Sequence, residues 1–276
     1  MRITLLQINS SADMAANITM VKSLVQKAAE QRADLIALPE NTFLMQEPDK
    51  KRTFYSQENH PGVRAAAEMA KASGCWLLVG SVDIQDPEVR KQNPEKTANR
   101  SLLFNPEGTI AAHYDKIHLF DVQVGDGQTY RESALVTPGD RAVLATTPWG
   151  QIGLTICYDV RFPQLYRTLA KNGASMITVP AAFTQVTGEA HWHVLLRARA
   201  IENGCFIIAP AQCGTHPGGR KTFGHALVVD PWGKILTDAG SEEGMVTIDI
   251  DLDDVKKTRS RLPSLSHDRN FKFSVY

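Results

Sequence analysis

Charge of one sign, clustered cysteine and long apolar runs are all missing from this 276-residue chain. Thirty basic residues balance thirty acidic ones, so no whole-chain field recruits nucleic acid or an anionic membrane, and a small, locally recognised ligand is the favoured partner. The opening Met1-Arg2-Ile3-Thr4-Leu5-Leu6 meets Asn9 and Ser10 almost at once. That run is too short for a signal peptide or a membrane span, which points to a cytoplasmic protein. The four cysteines, Cys75, Cys157, Cys205 and Cys213, include no Cys-x-x-Cys pair, so neither a disulfide framework nor a zinc ribbon is suggested. His113 with His118 and His191 with His193 lack the i, i+4 spacing of a helical zinc motif, and a metal site is disfavoured.

No Pro/Gly/Ser-rich linker divides the chain; Thr147-Pro148-Trp149-Gly150 is only a turn. At 43% hydrophobic and 22% charged, the composition is that of a globular protein with ample core. Apolar periodicity predicts strands over 2–9, 34–38 and 75–82, with helices over 12–31 and from Pro61 to about Ala70, and a hairpin over 101–104 and 109–114 around Asn105-Pro106-Glu107-Gly108. The order then repeats. Strands are expected over 152–157, 175–179 and 205–211, helices over 163–172 and 190–203, and a hairpin over 226–229 and 234–237 around Asp230-Pro231-Trp232-Gly233. Each β-α-β-α-β-β-β half alone would leave one sheet face bare, whereas two sheets packed together with helices outside bury both. The expectation is an α/β protein: one four-layer α-β-β-α sandwich spanning 1–276 with internal pseudo-symmetry, its last residues, 261–276, forming a polar and aromatic tail.

Ile152, Leu154 and Ile156 alternate as a strand, and Pro163 suits the first turn of a helix, so Cys157 falls in a strand-to-helix turn. A helix N-terminus lowers a thiol's pKa, and the reading as a nucleophile competes with that of an inert packed thiol. Glu40 ends the run Leu35 to Pro39, and Lys116 ends Tyr114-Asp115-Lys116. A carboxylate, an ammonium and a thiol suffice for acyl transfer from an amide. The carboxylate carries the thiol proton to the leaving amine, while the ammonium and the N–H after the cysteine face the oxyanion. An apolar setting should raise the Glu40 pKa toward neutrality, opposed by the lysine. The competing reading has Glu40 capping a helix and Lys116 as a solvated strand end.

The segments Leu38-Pro39-Glu40, Tyr114 to Leu119 and Ile156 to Pro163 resemble, in order and spacing, the three signature motifs of the nitrilase superfamily of carbon–nitrogen hydrolases. The resemblance extends to Pro180-Ala181-Ala182-Phe183, to Arg197 to Asn203, and to Gly224-His225 with Val229 to Gly233. It implies a Glu40–Lys116–Cys157 triad, a thioester intermediate, no metal or cofactor, the α-β-β-α sandwich and a homodimer. It also implies a second glutamate near the thiol, matched by Glu132 in the long loop from Leu119 to Pro138. Arg161 matches a position that binds a substrate carboxylate in some superfamily amidases, the alternative being a structural ion pair. Tyr158, Phe183 and Thr184 are further candidates for the substrate pocket.

Within the superfamily the chain resembles the Nit branch, and residues 193–202 and 211–216 look more like amidases of deaminated glutathione than like ω-amidases. Both substrates are small 2-oxo acid amides, differing in the leaving amine. An ω-amidase, a nitrile-hydrolysing enzyme and a non-catalytic binding protein on the same fold are the alternatives.

Overall fold

Alternation along the strands sends apolar side chains to both faces of each sheet, and this builds the layers. The computed structural model describes residues 1–47, 50, 52–125 and 127–276; Asp126, inside the long loop after Leu119, lies outside them. The first half contains β1 (Arg2–Gln7), α1 (Met14–Glu30), β2 (Leu35–Ala37), α2 (Pro61–Ser73), β3 (Trp76–Ile84), a short α3 (Pro87–Gln92), β4 (Ala98–Phe104) and β5 (Ile110–Asp115). A two-stranded ribbon, β6 (Asp121–Gln123) with β7 (Thr129–Arg131), follows within the long loop. The second half contains β8 (Val143–Thr147), β9 (Gly150–Leu154), α4 (Pro163–Lys171), β10 (Ala174–Thr178), α5 (Gln185–Asn203) and β11 (Phe206–Ala209). Then come the ribbon β12 (Cys213–Thr215) with β13 (Lys221–Phe223), β14 (Leu227–Val229), β15 (Ile235–Asp238), β16 (Gly244–Asp249) and α6 (Asp253–Arg261).

The two six-stranded sheets run β16-β1-β2-β3-β4-β5 and β15-β14-β11-β10-β9-β8. Ile3, Leu5, Leu35 and Ala37 point inward to a core shared with the second sheet, α4 and α5. Leu6, Ile36 and Leu38 point outward to a second core under α1 and α2. The result is an α-β-β-α sandwich. Burial on both faces explains why these strands read as nearly continuous apolar runs.

Each sheet has a strand that periodicity did not reveal. β8 follows the first half yet pairs antiparallel with β9, and β16 follows the second half yet pairs antiparallel with β1, Arg2 opposite Asp249. The halves thus exchange their last strands. Both are edge strands, and β16 is mostly only half-buried, so neither carries a strong apolar signal.

Local chemistry sets the helix ends. Asp13 accepts the Ala15 and Ala16 N–H groups at the start of α1, and the His60 Nδ1 accepts the Gly62 N–H at the start of α2. α2 and α5 close on left-handed glycines, Gly74 and Gly204. Helix α5 begins at Gln185, five residues before the expected 190, because Gly188 is helical here. A Cβ on Gly188 would come within 2.3 Å of the Phe223 side chain, so this glycine permits close packing of β13 and does not break the helix. Among the described residues, no helix is long and apolar enough to cross a membrane.

Candidate active site

The strand β9 stops at Leu154, and three residues later the backbone of Cys157 takes φ 47°. A left-handed conformation costs an ordinary L-residue about 1–2 kcal/mol, so the surroundings must hold it. The Cys157 N–H donates to Pro180 O at 2.9 Å, and a 3-10 turn, Cys157–Arg161, leads into Pro163 and α4. Asp159, fully buried, supplies the lock. Its carboxylate accepts the Ile156 N–H at 2.8 Å, the Tyr114 hydroxyl at 2.7 Å and the His118 N–H at 3.1 Å, and meets His118 Nδ1 at 2.7 Å. One side chain therefore ties the cysteine turn to the segment that carries Lys116. The Tyr158 N–H, next in the turn, has no acceptor among the described residues.

Glu40 reaches the same place from β2. Gly80 makes this approach feasible, because a Cβ there would lie 2.2 Å from Leu38 O and 2.4 Å from Pro39 O. Glu40 Oε1 accepts Lys116 Nζ at 2.9 Å and Asn99 Nδ2 at 3.1 Å, and Oε2 accepts the Ala182 N–H at 2.9 Å. Lys116 also donates to Glu132 Oε1 at 3.0 Å and Oε2 at 2.8 Å, while Glu132 accepts the Phe120 N–H at 2.7 Å. Glu40 and Lys116 are 3% and 2% exposed, so this is a buried ion cluster whose members must stay paired.

The electrostatics differ from the sequence expectation in two ways. Burial pushes the Glu40 carboxyl up, but Lys116, Arg220 and the Ala182 N–H together hold it below its ordinary value. The Cys157 thiol, by contrast, is pushed well up by burial and by the negative Glu40, which outweigh Lys116. The turn's N-terminus does not create a resting thiolate. Lys116 is raised: burial lowers it, and Glu132 and Glu40 more than compensate. The resting arrangement is a neutral thiol beside an ionised carboxylate and a charged lysine.

Glu40, Lys116, Glu132 and Cys157 all line one cavity of about 420 Å³, ordinary for a small-molecule site. The family model for carbon–nitrogen hydrolases matches residues 2–260. This chain belongs to the carbon–nitrogen hydrolase family. The hydrolase is 43% identical to a deaminated glutathione amidase of Synechocystis over 270 residues, covering 95% of this chain and 96% of that one. It is 40% identical to a deaminated glutathione amidase of Yersinia enterocolitica over 269 residues, covering 97% and 92%. The crystal structure of Saccharomyces cerevisiae Nit3, a member of branch 10 of the nitrilase superfamily, superimposes with a TM-score of 0.84 at 28% identity, covering 95% of this chain and 94% of that one. The protein is a hydrolytic amidase of this family on the nitrilase fold.

Of the remaining sequence candidates, Tyr158, Phe183 and Thr184 line the cavity of the hydrolase. Arg161 stands behind that wall, its guanidinium 5.7 Å from the Tyr158 ring centroid and 5.2 Å from that of Phe183, and Nη1 lies 3.2 Å from His191 Nδ1. Three residues escaped the sequence reading. Asn99 donates to both Glu40 and Glu132, at 3.1 and 3.0 Å; its signal was a polar residue within the fully buried strand β4. Asp159 was visible only as part of a motif. Arg220, in the turn between β12 and β13, donates to Ala182 O at 2.5 Å and lines the cavity. No periodicity marks a functional turn.

Away from the cavity, His193, His225 and Asp238 offer one ligand atom each within 4.8 Å of one another, the group of described side chains able to hold a metal ion. The Asp238 carboxylate faces His193 Nε2 at 2.8 Å and His225 Nδ1 at 3.0 Å, an arrangement that also satisfies all three as hydrogen-bond partners.

Proposed function

We propose that the protein hydrolyses the amide of a small 2-oxo acid, with deaminated glutathione as substrate, through an acyl-thioester on Cys157. The observation that carries the reading is the convergence of an ionised Glu40, a charged Lys116 and a neutral Cys157 thiol on one cavity. As the thiol sulfur attacks the amide carbon, Glu40 takes its proton, so no free thiolate is needed. The charge developing on the carbonyl oxygen meets the Lys116 ammonium and the Tyr158 N–H. Glu40 then returns the proton to the leaving nitrogen as the C–N bond breaks, leaving the thioester. In the second half Glu40 takes a proton from water, the water oxygen attacks the thioester, and the proton returns to sulfur as the acid departs. Glu132 and Asn99 orient Lys116 and Glu40; Tyr158, Phe183 and Thr184 form the wall for the acyl chain, and Arg161 adds positive charge behind it. No step calls for a metal or organic cofactor.

The preference for deaminated glutathione over ω-amides rests on the two relatives described above and on the resemblance of residues 193–202 and 211–216. The measurement is turnover of deaminated glutathione, 2-oxoglutaramate, succinamate and a simple nitrile by one preparation. Deaminated glutathione should be cleaved with the highest kcat/KM, and Cys157→Ala should abolish all hydrolysis while leaving Tm nearly unchanged. Glu40→Gln should cost at least 10²-fold in kcat. Better cleavage of the ω-amides would reassign the substrate, and residual turnover near wild type in Cys157→Ala would remove the thioester.

The same reading includes a single catalytic domain in the cytoplasm that pairs with a second copy of itself. Val186, Ala190, Val194 and Ile201 form an exposed, largely apolar stripe along α5, a surface suited to self-association. Phe271 and Phe273 of the 261–276 tail are exposed and would add apolar surface to such a contact.

A further inference from the structure

Cations crowd the cavity, but their situations differ. Lys116 faces Glu40 and Glu132, Arg52 faces Asp83 at 2.7 Å, and Lys50 faces Glu47 at 2.7 Å. Arg131 is exposed at the rim. Arg220 is half-buried and, among the described residues, makes no direct ion pair, although its charge reaches Glu40 and lowers that carboxyl's pKa. Its Nη2 donates to Ala182 O, its guanidinium lies 5.5 Å from the Tyr130 ring centroid, and its Nε is buried without an acceptor. A buried donor without an acceptor is costly, and a guanidinium that makes no direct ion pair in a substrate cavity is prepared for an anion.

The turn that carries Arg220 is held rigidly. Gly218 and Gly219 take φ 77° and 80°, which lets the chain reverse tightly enough for the His216 N–H to bond Arg220 O at 2.8 Å. The buried His216 ring lies 3.1 Å from Ser10 O and 2.7 Å from Thr222 Oγ1, and the Phe223 N–H bonds Phe183 O at 2.9 Å. A turn fixed this way presents its arginine without further ordering of the backbone on binding.

Its position follows from one residue. The Ala182 N–H points to Glu40 Oε2 and the Ala182 carbonyl to Arg220, whereas Lys116 and Asn99 hold the other oxygen, Oε1. Arg220 therefore stands beyond Ala182, the residue that meets Glu40 at Oε2, and near enough for its charge to act on that carboxylate. In the reaction proposed above, Glu40 gives its proton to the leaving nitrogen, so whatever that nitrogen carries extends past Glu40.

We infer that Arg220 binds a carboxylate on the leaving-amine half of the substrate, and so selects amides of carboxylate-bearing amines, such as cysteinylglycine, over amides that release ammonia. The inference rests on the amidase reading given above. Hydrolysis leaves both halves charged at their far ends, and the guanidinium holds the amine product only until its carboxylate is rehydrated.

The test is a matched pair with the same acyl group: deaminated glutathione and its C-terminal carboxamide, with 2-oxoglutaramate as a third substrate. Wild type should favour the free acid over the carboxamide by about 10- to 100-fold in kcat/KM, the range expected of a charged hydrogen bond. Arg220→Gln should collapse that ratio toward one, chiefly through KM for the acid, and Arg220→Lys should restore part of it. A wild-type enzyme that cleaves both without preference would overturn the role of Arg220 alone, as would an Arg220→Gln variant that loses rate on all three substrates in equal proportion. Cleavage of 2-oxoglutaramate with neither member of the pair would overturn both the proposed substrate and this inference.

Discussion

At the residue scale, the site depends on groups that never touch substrate. Asp159, fully buried, gathers three backbone or hydroxyl donors and a histidine ring. Asp159→Asn keeps the shape but turns one acceptor into a donor, leaving at least one buried N–H or O–H without a partner. The expected result is a loss of about 1–3 kcal/mol of stability, read as a lower denaturant midpoint, together with a fall in kcat because the left-handed turn at Cys157 loses its tie to the Lys116 segment. A variant with wild-type stability and reduced kcat would show that Asp159 acts on chemistry directly. The sequence displayed Glu40 and Cys157 because each closes an apolar run, and Lys116 because it ends a hairpin strand. Asn99 and Arg220 were illegible for opposite reasons: one is hidden inside a strand whose pattern is otherwise complete, and the other sits in a turn with no pattern at all.

At the scale of elements, a titrating cap sets part of the acid sensitivity. The His60 Nδ1 can accept the Gly62 N–H only while unprotonated there, and burial lowers the pKa of this histidine from 6.5 to about 4. The sign follows from that depression. The unfolded chain takes up the proton first, so the stability contributed by a neutral His60 is complete above about pH 6.5 and declines as pH falls toward about 4. The loss reaches roughly 3 kcal/mol at 1.36 kcal/mol per pKa unit. Thermal melts of wild type and His60→Asn should therefore converge on acidification, since Asn caps without titrating in this range; parallel decline of the two would remove His60 from the account. The helices and central strands were legible from period and caps. The early start of α5 was not, since a glycine that makes room for Phe223 is indistinguishable in sequence from one that ends a helix.

At the scale of the molecule, the apolar stripe on α5 predicts association. Sedimentation should give twice the 30.4 kDa of one chain, and Val194→Asp should shift the species toward the monomer without loss of secondary structure. A wild type that sediments as one chain at micromolar concentration would overturn the pairing. The duplication of the two halves was readable in the sequence, but their exchange of last strands was not, because an edge strand's partner is chosen by the sheet it completes and not by its own pattern.

That exchange has a consequence for how the protein comes into being. Synthesis delivers β1 long before the strand that covers its outer edge, Arg2 and Asp249 being separated by 247 positions. Until β16 leaves the ribosome, the nascent first sheet holds an open, apolar edge that can recruit other chains. Loop closure over most of the chain must precede that last pairing, so the edge closes late and slowly. The first sheet, however regular its pattern, is therefore incomplete until a strand from the far side of the second half reaches it.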